Sequence, residues 1–244
     1  MSPFHLVEIS QLVMLSVSLP LYICFLLTLI RFRAKQPFNS YFFKLCFHLG
    51  VVDVLALSNS YIFFKFPSFG WFGMADLARH GLTAKIGVIA SWQLALTQHL
   101  GITALAVNRF TGIVTPLRHD LVWTRKFFTL IIALQWLLPA LAISPQLTFP
   151  YEYIIANQTG EVGKPRWIDK DMERVYFSGF VVFNIPINLL TMALYIVIFH
   201  KANRTAEEDS QAAASHLDTK LAIYGFCVFV AMFLYGLEPA AFLH

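Results

Sequence analysis

Charge is scarce in this chain. Only 13% of its 244 residues are Asp, Glu, Lys or Arg, about half the share of an ordinary soluble domain. Cysteine is nearly absent as well. Cys24, Cys46 and Cys227 all fall inside apolar runs, so none sits where an extracellular disulfide could form, and each reads as a small core hydrophobe. There is no HExxH and no Gly-x-Ser-x-Gly, and two isolated intramembrane acids make a poor catalytic pair. No enzyme, cofactor, metal site or nucleic-acid partner is therefore expected. No internal repeat, paired broken helices or charged pore ring is visible, which weighs against a six-span transporter or channel. The ten-residue alternation of a β-barrel strand is missing too.

What the chain has in abundance is apolar length. Hydrophobic residues make up 57%, with 24 phenylalanines, more than a water-soluble core of this size could hide. Runs of roughly 20 apolar residues are long enough to cross a bilayer. Six are present, at about 6–30, 41–64, 82–108, 127–149, 174–199 and 221–243. The first is too long for a signal-peptide core and lacks a basic start, so it reads as a retained helix. The expectation is an all-α membrane protein, one transmembrane helical domain over 1–244. The loop at 150–173 holds Gly160, Gly163 and Pro165 with mixed charge and reads as irregular. The polar stretch at about 200–220 is rich in helix formers and reads as an extension of the fifth or sixth span.

Cation placement orients the chain. The loops after spans 1, 3 and 5 carry Arg31, Arg33, Lys35, Lys44, Arg109, Arg118, Arg125, Lys126, Lys201, Arg204 and Lys220. The other side carries only Lys65, Arg79, Lys85, Lys164, Arg166, Lys170 and Arg174. The positive-inside rule then puts the amino terminus outside and Arg109 in the cytosol. Asn157-Gln158-Thr159 is a glycosylation sequon that falls outside, whereas the sequon at Asn203 falls inside and should be silent.

Span 3 ends on Asn108-Arg109-Phe110, and Pro116-Leu117 follows in the next loop. This resembles the Asp-Arg-Tyr and Pro-Leu signature of rhodopsin-like G-protein-coupled receptors, with Asn108 in place of the acid and Phe110 in place of the tyrosine. The fuller strings "NRFTGIVTPLRHDLVW" and "PFNSYFFKLCFHLGVVDVLAL" resemble the nematode serpentine chemoreceptors of class V or the neighbouring class gamma. The resemblance implies a seven-helix receptor bundle, of which six helices are present in this chain. It also implies a plasma-membrane location, in sensory neurons, and a heterotrimeric G protein that meets Arg109, Pro116, Leu117 and His119. Asn cannot ionise, so a proton switch beside Arg109 is not expected. Glu207, Glu208 and Asp209 are substitute partners to consider, against the plainer reading of a solvated charge run.

Polar residues inside the spans mark the candidate site. Asp53, mid-span 2, costs roughly 2.5–3.5 kcal/mol on insertion scales and should face the bundle with a partner. The resemblance makes it a candidate ion site; the plainer reading is a hydrogen-bonded core acid. Eighteen residues make five helical turns, so Ser91 shares Arg109's face about 27 Å away, along with Ala95, Gln98 and Ile102. Trp92, His99 and Thr103 form the adjacent face, where His99 reads more plainly as a helix-packing group than as a ligand contact. In span 5, Phe177, Asn184, Thr191 and Tyr195 share a stripe with Asn188, and Pro186 removes a backbone donor. In span 6, Phe233 precedes Pro239 by six residues, as in the switch helix of the receptors, but Leu237 stands where tryptophan is expected.

Together these residues outline a ligand site of Ser91, Trp92, Gln98, Phe177, Asn184, Tyr235 and Glu238, with no acid in the outer half of span 3 to pair with an ammonium. The expected ligand is small, neutral and largely apolar. A truncated or nonfunctional receptor fragment is the alternative expectation.

Overall fold

A computed structural model describes residues 3–69, 81–155 and 162–208. Five long helices run through it: α1 (Pro3–Phe32), α2 (Tyr41–Ser60), α3 (Gly81–Val114), α4 (Arg125–Ile143) and α5 (Lys170–Glu208). They coincide with the first five apolar runs. The sixth run, with Phe233, Tyr235, Leu237, Glu238 and Pro239, lies outside the described residues, as does Asn157.

The helix boundaries follow from local chemistry. Thr124 caps α4 by accepting the Phe127 amide at 3.3 Å, the usual way of satisfying an orphan donor. Asp169 Oδ1 accepts the amides of Asp171 and Met172 at 3.0 and 3.1 Å, so α5 starts four residues before its apolar run. At its other end α5 continues to Glu208, as the helix-forming composition of the following loop suggested. It stays helical through Pro186.

By length and composition α1, α2, α4 and α5 could each cross a membrane. Helix α3 is long enough, about 51 Å at 1.5 Å per residue, but is not among them. The reason is position. Twelve of its 34 residues are buried, against three of 19 in α4, because α3 runs through the middle of the bundle. Its polar residues face other helices rather than lipid. All three buried clusters include α3: Ala84 and Val88 near its start, and further along, at neighbouring positions, Ile102 and Ala106 with Leu49, Tyr195 and Ile198, and Ala104 with Leu45 and Trp123. The outer faces of α1, α4 and α5 remain apolar and exposed, as Leu21, Leu141 and Val182 show, which suits contact with acyl chains.

Close approach to α3 is paid for with glycine. A Cβ on Gly87 would lie 2.6 Å from Phe63 Cβ, and one on Gly101 would lie 2.5 Å from Gln135 Nε2. Small residues at such crossings let backbones meet where lipid provides no hydrophobic drive to association. Gln135, buried in α4, uses that approach to donate to the Thr97 carbonyl at 3.0 Å.

The stretch read as irregular is in part a hairpin. Strands β1 (Tyr151–Ile155) and β2 (Val162–Trp167) pair antiparallel, Tyr151 opposite Trp167 and Glu152 opposite Arg166. Alternation in Tyr-Glu-Tyr turns both tyrosines inward, where they join Ala84, Val88 and Trp167 in one cluster. Tyr153 Oη donates to the Phe63 carbonyl at 3.0 Å. Phe63 lies in a π-helical turn (Tyr61–Lys65) that continues α2. The hairpin thus caps the end of the bundle opposite Arg109.

Candidate functional site

The polar and charged residues of one face of α3 meet α2. Ser91 Oγ accepts from Asn59 Nδ2 at 2.7 Å, Gln98 Nε2 donates to Asp53 Oδ1 at 2.6 Å, and the Arg109 guanidinium lies over the Phe42 ring, 3.5 Å from its centroid. These are the residues that helical geometry places on a single stripe. Tyr22 of α1 donates to the other Asp53 oxygen at 2.6 Å, so both carboxylate oxygens are occupied and the acid ties three helices together. Among the described residues no cluster of His, Cys, Asp or Glu could hold a metal ion.

The adjacent face of α3 meets α5. The Trp92 ring stands edge-on to Phe180 at 4.9 Å and to Phe177 at 6.3 Å. About two turns further His99 meets Phe180 edge-on at 6.1 Å, and about three turns further Thr103 Oγ1 lies 3.0 Å from Thr191 Oγ1. Asn184 is buried on the same side of α5 and donates to the Phe180 carbonyl at 2.9 Å. The seam between α3 and α5 is therefore aromatic, holds a few polar atoms and carries no carboxylate among these residues. The hairpin cluster closes one end of it, since Trp92 and Tyr176 pack against Tyr151, Tyr153 and Trp167. Trp167 and Tyr176 stack at 5.2 Å. Burial pushes the phenols of Tyr151 and Tyr153 above their ordinary pKa, because an ionised ring would lose water there.

At the Arg109 end a short helix, Pro116–Val122, follows α3, with Pro116 at its first turn. Thr111 organises this corner. Its hydroxyl accepts from Trp123 Nε1 at 2.8 Å and lies 3.0 Å from His119 Nδ1. Trp123 is 2% exposed, packed between Tyr41 and Phe127. Leu117, by contrast, is 94% exposed.

A helical bundle around a buried third helix that carries Asn-Arg-Phe in its last turns finds its counterpart among known proteins. The model of the serpentine type seven-helix G-protein-coupled chemoreceptor family Srv matches residues 11–240. The chain belongs to that family. Serpentine receptor class V-1 of Caenorhabditis elegans is 28% identical over 221 residues, covering 90% of this chain and 70% of its own length. Membership in Srv, with helices able to span a bilayer, makes this a multi-pass membrane protein of the chemoreceptor type.

Within this Srv chain the sequence-derived residues divide into three groups. Trp92, Phe177 and Asn184 come together on the α3–α5 seam, and His99 joins them. Ser91 and Gln98 stand behind that seam, engaged by α2. Arg109, Pro116 and Leu117 share one end of the bundle, but His119 turns inward to Thr111 rather than outward beside Leu117. Trp123, Phe180 and Tyr22 were not singled out by sequence reasoning. Trp123 had a usable signal, a lone tryptophan directly after the Pro-Leu helix. Phe180 had one as well, since it lies three residues after Phe177 and four before Asn184. Tyr22 had none, because an aromatic in an apolar run looks like any lipid-facing residue.

Proposed function

We propose that this protein is a chemosensory receptor in the plasma membrane, amino terminus outside, that binds a small neutral ligand and signals through a heterotrimeric G protein. The observation that carries the ligand reading is the α3–α5 seam: edge-on aromatic contacts, a few hydrogen-bonding atoms and, among the described residues, no carboxylate to neutralise an ammonium. A buried charge without a counter-charge is costly, so an apolar molecule with one or two polar atoms fits this lining best. Trp92, Phe177, Phe180 and Asn184 form the contact surface. Ser91 and Gln98 act as a backing wall that holds α3 in place, and Asp53 serves as a hydrogen-bonded core acid. Tyr235 and Glu238, expected from the sequence as further contacts, lie outside the described residues.

On the cytosolic side, Arg109 over Phe42 holds α3 against α2 at rest, and Leu117 offers an apolar knob to the G protein. Trp123 and His119 position that knob by fixing the short helix against Thr111. A ligand that fits the seam better in one arrangement of α3 and α5 shifts the population toward that arrangement. In a cell line expressing the receptor with a promiscuous G protein, Arg109→Ala should abolish ligand-evoked second-messenger release while surface expression stays within about twofold. Loss of one charge-bearing contact of this kind is worth about 0.5–2 kcal/mol, too little to unfold a helical bundle. Full signalling by the variant would reduce Arg109 to an anchor at the headgroups.

A further inference from the structure

Two hydrogen-bond acceptors on the α3–α5 seam have no donor. Asn184 is 5% exposed, its amide nitrogen donates to the Phe180 carbonyl at 2.9 Å, and its Oδ1 is buried without a hydrogen-bond partner. The orientation of the amide is forced, because a carbonyl only accepts and the end facing Phe180 must be the NH2. His99, also 5% exposed, is arranged in the same sense. Its Nδ1 lies 2.7 Å from the Ala95 carbonyl, so Nδ1 carries the proton, and the neutral ring presents Nε2 as a lone pair. Among the described residues nothing donates to that nitrogen. Both groups flank Phe180: the His99 ring meets the Phe180 ring, and Asn184 is held by the Phe180 carbonyl. The neighbouring hydroxyls do not relieve them. Thr103 donates to His99 O, Thr191 to Ile187 O and Ser91 to Gly87 O.

Resting on the reading of this seam as the ligand site, we infer that the receptor selects neutral ligands carrying an O–H or N–H donor (alcohols, phenols or amides), received by Asn184 Oδ1 and His99 Nε2. Asn184 Oδ1, a buried acceptor left unmet, is a standing cost. A donor ligand removes that cost, whereas an ether isomer of equal size leaves it in place. Sites built for a hydrogen bond reject the analogue that lacks it more strongly than apolar pockets reject a change of size.

The test uses the full chain in lipid nanodiscs, isothermal titration with empty-nanodisc subtraction, and two isomeric pairs as probes: benzyl alcohol against anisole, and hexan-1-ol against methyl pentyl ether. The alcohol of each pair should bind about tenfold more tightly than its ether. Asn184→Leu, and independently His99→Phe, should each shrink that preference at least threefold. Asn184→Leu should leave the unliganded thermal midpoint unchanged or higher, since it deletes an unpaired oxygen, and that measurement separates lost selectivity from lost fold. Ethers binding as tightly as alcohols, or a preference that survives both substitutions, overturns the inference alone. No binding by any of the four probes overturns it together with the reading of the seam as a ligand site.

Discussion

Asp53 is held by donors from two different helices, so its loss strands both. Asp53→Ala deprives the Tyr22 hydroxyl and the Gln98 amide of their shared acceptor, at about 1–3 kcal/mol for each group left unsatisfied. Asp53→Asn keeps one carbonyl oxygen and should cost less. Thermal unfolding in detergent should rank wild type above Asp53→Asn, and Asp53→Ala lowest; equal midpoints would show that the acid ties nothing together. At this scale the sequence was half legible. The eighteen-residue step correctly joined Ser91, Gln98 and Arg109 on one face, because azimuth within a helix depends only on 3.6 residues per turn. Which neighbour that face meets depends on how the helix is rotated in the bundle, and no periodicity carries that information. The face turned out to be occupied by Asn59, Asp53 and Phe42.

Among the elements, the β1–β2 hairpin carries the clearest consequence. Its inward tyrosines and Trp167 close the seam with aromatic packing and side-chain hydrogen bonds that include Tyr153 to Phe63 and Tyr151 to Gln146. Glu152 and Arg166 pair on its exposed side at 2.9 Å, a contact worth at most about 1 kcal/mol. Burial raises both phenol pKa values in the folded protein, so the protonated rings are favoured by folding. That contribution is fully present below the unfolded tyrosine pKa of about 10 and declines as pH rises above it. Trp167 emission should therefore hold steady from pH 6 to pH 9 and shift only in more alkaline solution. A shift near pH 7 would assign lid stability to other groups. The hairpin escaped the sequence reading because Gly160, Gly163 and Pro165 signal turns, and the Tyr-Glu-Tyr alternation is too short to outweigh them. The five helices were legible because a twenty-residue apolar run has few other physical solutions.

For the molecule as a whole, orientation is the property that decides which surface meets the ligand. The cations of the first loop and of the Pro116 region gather at the end opposite the hairpin, and Asn157 falls between the two strands in sequence. Translated into microsomes, the chain should gain one glycan, lost in Asn157→Gln and retained in Asn203→Gln. A glycan on Asn203 would invert the assignment and move Leu117 to the outside. The central position of α3 was the least legible feature at this scale. Apolar content alone ranks it behind its neighbours, because a helix surrounded by protein can carry Gln93, Thr97, His99 and Asn108 at no cost in lipid contact.

The contacts of α3 differ in kind on its two sides. Toward α2 they are directional: a serine to an asparagine, a glutamine to a carboxylate and a guanidinium over a ring, spread along most of the helix. Toward α5 they are mainly ring edges and apolar packing, which tolerate displacement, with the Thr103–Thr191 pair as a directional contact. In mechanical terms α2 and α3 form a stator, and α5 rests on it through a bearing surface. Energy delivered to the seam is then spent on moving α5 rather than on deforming the α2–α3 pair. The length of α5, out to Glu208, would turn a small tilt at Phe180 into a larger sweep beside Arg109.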